Sequence, residues 1–200
     1  MAEITAKTVQ ELRKKTGLCM MDCNKALQET DGDIEKAIEY LRKQGMSAVE
    51  KRADRDASEG LIQSYIHQGS RLGVLVEVNC ETDFVARTDD FQGFAKDVAM
   101  HIAASQPLAI DRESIPAAAV DKEKAIFLEQ AKNEGKPEHI AEKIVEGRLE
   151  KFYQENCLME QVFVKNPDQT IDELITELTA KIGEKISVRR FERFVLGDEA

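Results

Sequence analysis

Few residues in this 200-residue chain are of types that do chemistry, and they fall in short clusters. Within Glu81-Thr82-Asp83-Phe84-Val85-Ala86-Arg87-Thr88 a carboxylate stands beside a large apolar ring. Presented outward, Phe84 would enter an apolar pocket on a partner while Asp83 competed for groups that normally hold a cation or a phosphate. The plainer reading packs Phe84 inward and has Asp83 cap the next turn, since a single Phe is more often core than contact. Leu18-Cys19-Met20-Met21 sets two flexible thioethers side by side. Adjacent Met residues cannot both face one core, so one is expected on the surface as an adaptable contact and the other inside. Arg13 and Lys25 lie near them and read singly as a solvated face.

The histidines and cysteines offer less. His67 stands beside a turn with no nucleophile partner and reads as a surface residue. His101, in Ala99-Met100-His101-Ile102-Ala103, reads as part of a helix face. Cys19 and Cys23 sit four apart on one helical face, but no second Cys pair exists and the histidines are far off in sequence, so no metal site is expected. Cys80 and Cys157 complete a set of four that does not make a disulfide framework. There is no Gly-rich phosphate loop, no His-Glu-x-x-His and no Gly-x-Ser-x-Gly, and an autonomous nucleotide-dependent enzyme is disfavoured.

The elements that must carry these residues follow from periodicity. Ile4 and Val9 staple a Thr5 cap, and Gly17 stops a first helix. Met20 to about Thr30 is a second, with Cys23, Ala26 and Leu27 on its inner face. Asp31-Gly32-Asp33 breaks the chain before a third, on which Ile34, Ala37, Ile38 and Leu41 repeat at i, i+3, i+4, i+7. Residues 51–59 mix both charges as an exposed helix or linker that Gly60 ends. Leu61–His67 and Leu72–Cys80 are strands around Gln68-Gly69-Ser70, with Val74, Val76 and Val78 on one face and Leu75 and Glu77 on the other. Helices are expected over about 90–105, from Pro116 to about Asn133, and over about 138–155 with Ile140, Ile144, Val145 and Leu149 as its buried stripe. Gly135-Lys136-Pro137 separates the last two. Thr170 with Glu173 opens a helix through Ile182 that Gly183 closes, so Ile182-Gly183 reads first as a helix end. Ile186–Leu196 is a last strand joining the hairpin.

Composition bounds the partners. There are 28 Lys and Arg against 38 Asp and Glu, a net charge of −10, whereas phosphate-backbone affinity comes mainly from cations. Direct binding of nucleic acid is therefore not expected. The charge divides unevenly, near +1 over residues 1–55 and −11 over 56–200. That suggests an N-terminal module with linker (1–55) and a core (56–200). No apolar run approaches the roughly 20 residues of a membrane span. Met1 to Lys7 resembles neither a signal nor a transit peptide, so a cytoplasmic chain is expected.

Several stretches together resemble one family. Leu12-Arg13-Lys14-Lys15-Thr16-Gly17, Met20-Met21-Asp22-Cys23, Lys25-Ala26-Leu27 and Gly32-Asp33-Ile34-Glu35 are similar to the opening module of the elongation factor Ts family, a three-helix bundle like that of ubiquitin-associated domains. Glu77 to Ala86 is similar to its most characteristic core segment, and Ile140-Ala141-Glu142-Lys143, Val145-Glu146-Gly147-Arg148 and Lys181-Ile182-Gly183-Glu184 follow in order. The resemblance implies an α+β fold: the bundle, then a core with a small antiparallel sheet packed on helices. It implies a guanine-nucleotide exchange factor with no chemical active site and no cofactor, whose partner is elongation factor Tu in its GDP and nucleotide-free forms. Thr82, Asp83, Phe84 and Val85 would approach and dislocate the partner's Mg²⁺, while Arg13, Met20, Met21, His67, Ile182 and Gly183 would bind the partner. Where the family often has a small residue and a Lys, this chain has Cys19 and Asn24. Longer members duplicate half of the core; this chain resembles the single-core form, some of which pair as homodimers through the core sheet.

Two rival readings exist. A stand-alone ubiquitin-associated-type module on an unrelated scaffold would explain residues 1–45 but leave 82–85 without purpose. A thiol enzyme or metalloenzyme using Cys19, Cys23 and a His would bind zinc or lose activity on thiol blocking.

Overall fold

The computed structural model describes residues 4–134 and 137–198. Residues 1–3 of the opening segment and 135–136 of the Gly-Lys-Pro break lie outside them.

Three helices open the chain: α1 (Ala6–Thr16), α2 (Met20–Glu29) and α3 (Ile34–Glu50). α1 begins where Thr5 Oγ1 accepts the Thr8 N–H at 3.3 Å, and it stops at Gly17, whose φ of 69° and N–H bond to the Arg13 carbonyl form a left-handed cap. α3 begins at Asp33, whose carboxylate accepts the Glu35 and Lys36 N–H groups at 3.0 and 3.1 Å. Those bonds, the one from Lys36 first, hold its carboxyl below the ordinary range. Val9, Leu12, Cys23, Ala26, Leu27, Ala37 and Leu41 form the bundle's core. Residues 51–55 are a run of turns rather than a helix, with Arg52, Ala53 and Arg55 each donating to a carbonyl three residues back.

The sheet has strands β1 (Glu59–Ile66), β2 (Leu72–Cys80) and β3 (Ser187–Val195) in the order β1-β2-β3. The Leu196 N–H donates to the Arg71 carbonyl, and the Glu77 carboxylate pairs with Arg189 and Arg190, which sets β3 antiparallel to β2. Val74, Val76 and Val78 are buried and Leu75 is exposed, as the alternation predicts. β1 starts earlier than expected because Gly60 lies inside the strand instead of ending the run before it. At Gly60 φ is 144° and a Cβ would stand 2.1 Å from the Val78 carbonyl oxygen, a backbone approach open only to glycine.

After β2 come α4 (Asp83–Ala86), a single turn, and α5 (Asp89–Ser105), whose Phe91, Phe94, Ala95, Val98, Ala99 and Ile102 are buried at helical spacing. α6 (Ala117–Asn133) and α7 (Glu138–Asn156) pack on each other. Pro116 occupies the cap position with ψ of 126°, one residue before the helix and not its first residue. The buried row of α7 is Ala141 and Val145, with Ile144 and Leu149 half-buried. Ile140, expected in that stripe, is 40% exposed because it falls to one side of the 141–145–149 row in the helix's first turn. A 3-10 turn (Leu158–Glu160) leads on to α8 (Ile171–Ile182), which Gly183 closes with φ of 86° and an N–H bond to the Thr179 carbonyl at 2.8 Å.

The chain forms two compact units, each built from separate stretches. One takes residues up to 61, 78–93 and 173–187; the other takes 62–77, 94–172 and 188 onward. In the first, α3 lies close on α8 at Gly45, where a Cβ would meet Thr176 Cγ2 at 3.5 Å and Ala180 Cβ at 3.6 Å. In the second, His101 is fully buried: its Nδ1 accepts the Val164 N–H at 3.3 Å and its Nε2 bonds Gln161 Oε1 at 2.9 Å. No helix among the described residues is long and apolar enough to cross a membrane.

Candidate functional site

The segment from Cys80 to Thr88 turns the end of β2 into the start of α5, and the one-turn helix α4 is its apex. Thr82, in extended conformation at φ −130° and ψ 152°, caps α4 by accepting the Val85 N–H on its hydroxyl. The capping residue is therefore Thr82, whereas the inward reading of the segment gives that task to Asp83. Asp83 instead accepts an ion pair from Arg87, one turn on, at 2.7 Å with both side chains open to solvent. Phe84 is 76% exposed, which removes the reading that packs it inward. Val85 is half-buried and Ala86 buried, so the turn is anchored on one side and offers Phe84 on the other.

The anchors are polar as well. Glu184, just past α8, accepts the Glu81 N–H at 3.2 Å, the Thr82 N–H at 3.0 Å and the Thr82 hydroxyl at 2.7 Å. The Cys80 thiol donates to the Thr82 carbonyl at 3.1 Å, and burial with the Glu184 charge nearby pushes that thiol up to about 11. The Glu81 carboxylate accepts the Lys185 N–H at 2.7 Å and pairs with Arg55 at 3.2 Å. These contacts, the Lys185 N–H first, hold Glu81 below the ordinary carboxylate range. The Lys185 ammonium donates to the Ala53 and Arg55 carbonyls, and Arg52 Nε donates to the Gly183 carbonyl. The turns after α3, the apex and the loop after α8 thus form one polar network inside one compact unit.

The other sequence-predicted residues divide between the two units. Arg13 lies exposed in the last turn of α1. Met20 and Met21 open α2 with exposures of 43% and 81%. The expectation that one of them fills the bundle core is corrected: both sit in the first turn, ahead of Cys23, which takes the inner position. Cys19 caps α2, its thiol on the Asp22 carboxylate at 3.0 Å, while Cys23 is in the core, so the two thiols face different surroundings. Asn24 is exposed. Ile182 is half-buried at the end of α8, and Gly183 holds the left-handed turn that its helix-end reading requires. Arg13, Met20, Met21, residues 82–85, Ile182 and Gly183 all belong to the first unit; His67 belongs to the second. His67 is exposed at the hairpin, its Nδ1 3.0 Å from the Tyr65 hydroxyl. Among the described residues no three His, Cys, Asp or Glu side chains come together as a metal site would need.

Residue reasoning missed Glu184, Glu81, Lys185 and Arg55. Glu184 carries one signal, its place in Lys181-Ile182-Gly183-Glu184, but a carboxylate acting a hundred positions away leaves no periodic trace.

The pattern of the elongation factor TS family matches residues 5–178. The chain is 59% identical over 195 residues to elongation factor Ts of Heliobacterium modesticaldum, covering 98% of this chain and 91% of that protein. It is 59% identical over 198 residues to that of Desulforamulus reducens, covering 99% and 91%. Against that of Thermoanaerobacter pseudethanolicus it is 55% identical over 195 residues, covering 98% and 96%. With three helices followed by a three-stranded sheet packed on helices, and with more than half of its positions shared with such relatives over nearly their whole length, the chain belongs to the elongation factor Ts family: it is a nucleotide-exchange factor of translation elongation and not an enzyme.

Proposed function

We propose that this chain binds elongation factor Tu in its GDP form and speeds GDP release by inserting the α4 apex beside the partner's Mg²⁺ and phosphate site. One observation carries the reading above others: Phe84 stands exposed on a one-turn helix that is held from beneath by part-buried, charge-assisted bonds. An exposed aromatic on a rigid support suits a wedge, since little ordering entropy is lost on insertion. Asp83, drawn from Arg87 to the partner's cationic groups, would compete for what holds the Mg²⁺. GDP is retained largely through phosphate contacts and that shared cation, so loss of charge neutralisation speeds its departure. By linkage, the nucleotide that returns must expel the factor, and GTP in excess completes the cycle.

Thr82 positions the apex and Val85 its base. Arg13, Met20 and Met21 supply a contact from the N-terminal module (1–55); His67, Ile182 and Gly183 supply contacts from the core (56–200). The exposure of both Met side chains supports that role, because Met adapts to a partner surface. Two copies pair through the open face of the sheet, where Ile62, Ile66, Leu75, Phe194 and Leu196 are exposed. The chain works in the cytoplasm without direct contact to nucleic acid, in keeping with its charge of −10.

The test is release of a labelled GDP from elongation factor Tu with this protein at catalytic amounts. Acceleration is expected, with Phe84→Ala and Asp83→Ala each reducing it at least about tenfold, the equivalent of 1.4 kcal/mol in the barrier. Melting temperatures should stay near the parent's, because both side chains are open to solvent. No acceleration by the parent protein would refute the reading, and parent rates in both variants would remove the wedge role.

A further inference from the structure

The bonds that hold α4 follow a known local pattern with one member replaced. In a capping box, the hydroxyl of the N-cap residue accepts the N–H of the third helical residue, whose own Glu or Gln side chain reaches back to the N-cap N–H. Thr82 is the N-cap here and accepts from Val85, the third residue, at 3.5 Å. Valine cannot return the bond. The returning carboxylate comes from Glu184, 3.0 Å from the Thr82 N–H.

We infer that Glu184 is a positioning residue for exchange: it completes the capping box of the Phe84 turn from across the chain and holds the apex in the geometry that inserts. This rests on the wedge reading above and names the group that makes the wedge stiff. A four-residue helix has almost no stability of its own, because the first turn fixes several dihedrals for one hydrogen bond. Val85 to Thr82 is also the longest bond of the set, so the box depends on its other members. All three Glu184 bonds go to residues 81 and 82: one oxygen takes the Thr82 hydroxyl and the other takes two backbone N–H groups. By taking the hydroxyl proton, Glu184 also orients the Thr82 oxygen's lone pairs toward the Val85 N–H. The charge of the carboxylate strengthens each bond relative to a neutral acceptor.

Glu184 is followed by Lys185, whose N–H goes to Glu81 while its ammonium goes to the Ala53 and Arg55 carbonyls. The clamp on the apex and the anchor of the turns after α3 are therefore consecutive residues. Of the two, Glu184 is the one that hydrogen-bonds Thr82.

Two measurements on the full chain decide the matter. In labelled-GDP release from elongation factor Tu, Glu184→Ala should lower the maximal rate about tenfold, corresponding to 1.4 kcal/mol. The concentration for half effect should move less than about twofold, since docking through the other contacts is kept. Glu184→Gln, which retains the shape and one accepting oxygen, should lose about threefold. A Phe84→Ala, Glu184→Ala double variant should be no slower than Phe84→Ala alone, because both act through one ring. In the free protein, amide exchange at Thr82 and Val85 should rise about tenfold in Glu184→Ala while α2 amides stay protected.

Parent protection at Thr82 and Val85 in both variants would overturn the inference, as would parent release rates or additive losses in the double variant. If Glu184→Ala fails to fold, Glu184→Gln carries the same measurements. If the parent protein itself does not speed GDP release, the wedge reading fails by that result, and the amide exchange still decides whether Glu184 holds the turn.

Discussion

His101 has its protonation state set by what it touches. Its Nδ1 accepts the Val164 N–H, so the proton sits on Nε2 and is donated to Gln161 Oε1, whose amide in turn donates to the Ser105 and Glu155 carbonyls. A second proton would face a donor, and burial lowers the pKa of the ring below its ordinary value. The unfolded chain therefore binds more protons than the folded one below about pH 6.5, and stability must rise with pH through that window. Urea unfolding should show the contribution in full above the unfolded pKa and its loss as pH falls from 7 to 5. The slope from this group is at most about 1.4 kcal/mol per pH unit. A His101→Gln variant should show a flatter pH dependence; an unchanged slope would mean the ring does not titrate between the two states. Phe84 makes the complementary point. Its type favours the core, yet α4, anchored through Val85 and Ala86 and by polar support drawn from distant positions, presents it outward.

Two glycines separate the demands of helix and strand. Gly45 lies inside α3 with ordinary space for a methyl group against Thr176 and Ala180. Gly45→Ala should thus stabilise the protein by up to about 1 kcal/mol, the helix propensity difference. Gly60→Ala would drive its Cβ into the Val78 carbonyl at a backbone angle alien to alanine, and should cost at least about 3 kcal/mol. Thermal melts of the two variants should move in opposite directions. Most helices and all three strands were readable because caps, stops and periods are local: Thr5 and Gly17 bracket α1, and Val74, Val76 and Val78 mark β2. α4 was not, since four residues complete barely one period and its cap is closed by Glu184. Gly60 misled for a related reason, as a glycine stops a run or permits a close approach according to a neighbour the sequence does not name. The same holds at the site. The 82–85 segment stood out by residue type and resemblance, but its supports Glu81, Glu184, Lys185 and Arg55 meet only when the chain is folded.

For the molecule in solution, the proposed pairing through the open sheet face makes a prediction of its own. Sedimentation should find a dimer, and a Leu75→Lys, Phe194→Lys variant should sediment as a monomer without loss of helix content. A parent monomer at micromolar concentration would remove the second copy from the proposal. The charge of −10 acts in the same setting, since it repels polyanions and opposes non-specific association. The four thiols are also unequal. Cys23, Cys80 and Cys157 are buried, and burial pushes Cys80 and Cys157 up to about 11, so neither carries appreciable thiolate at neutral pH. Cys19 alone faces water, immediately before Met20 and Met21. Nature has thus left a single conjugation handle: a maleimide dye should attach once, without engineering, and its emission would report arrival of a partner at the first turn of α2 in real time.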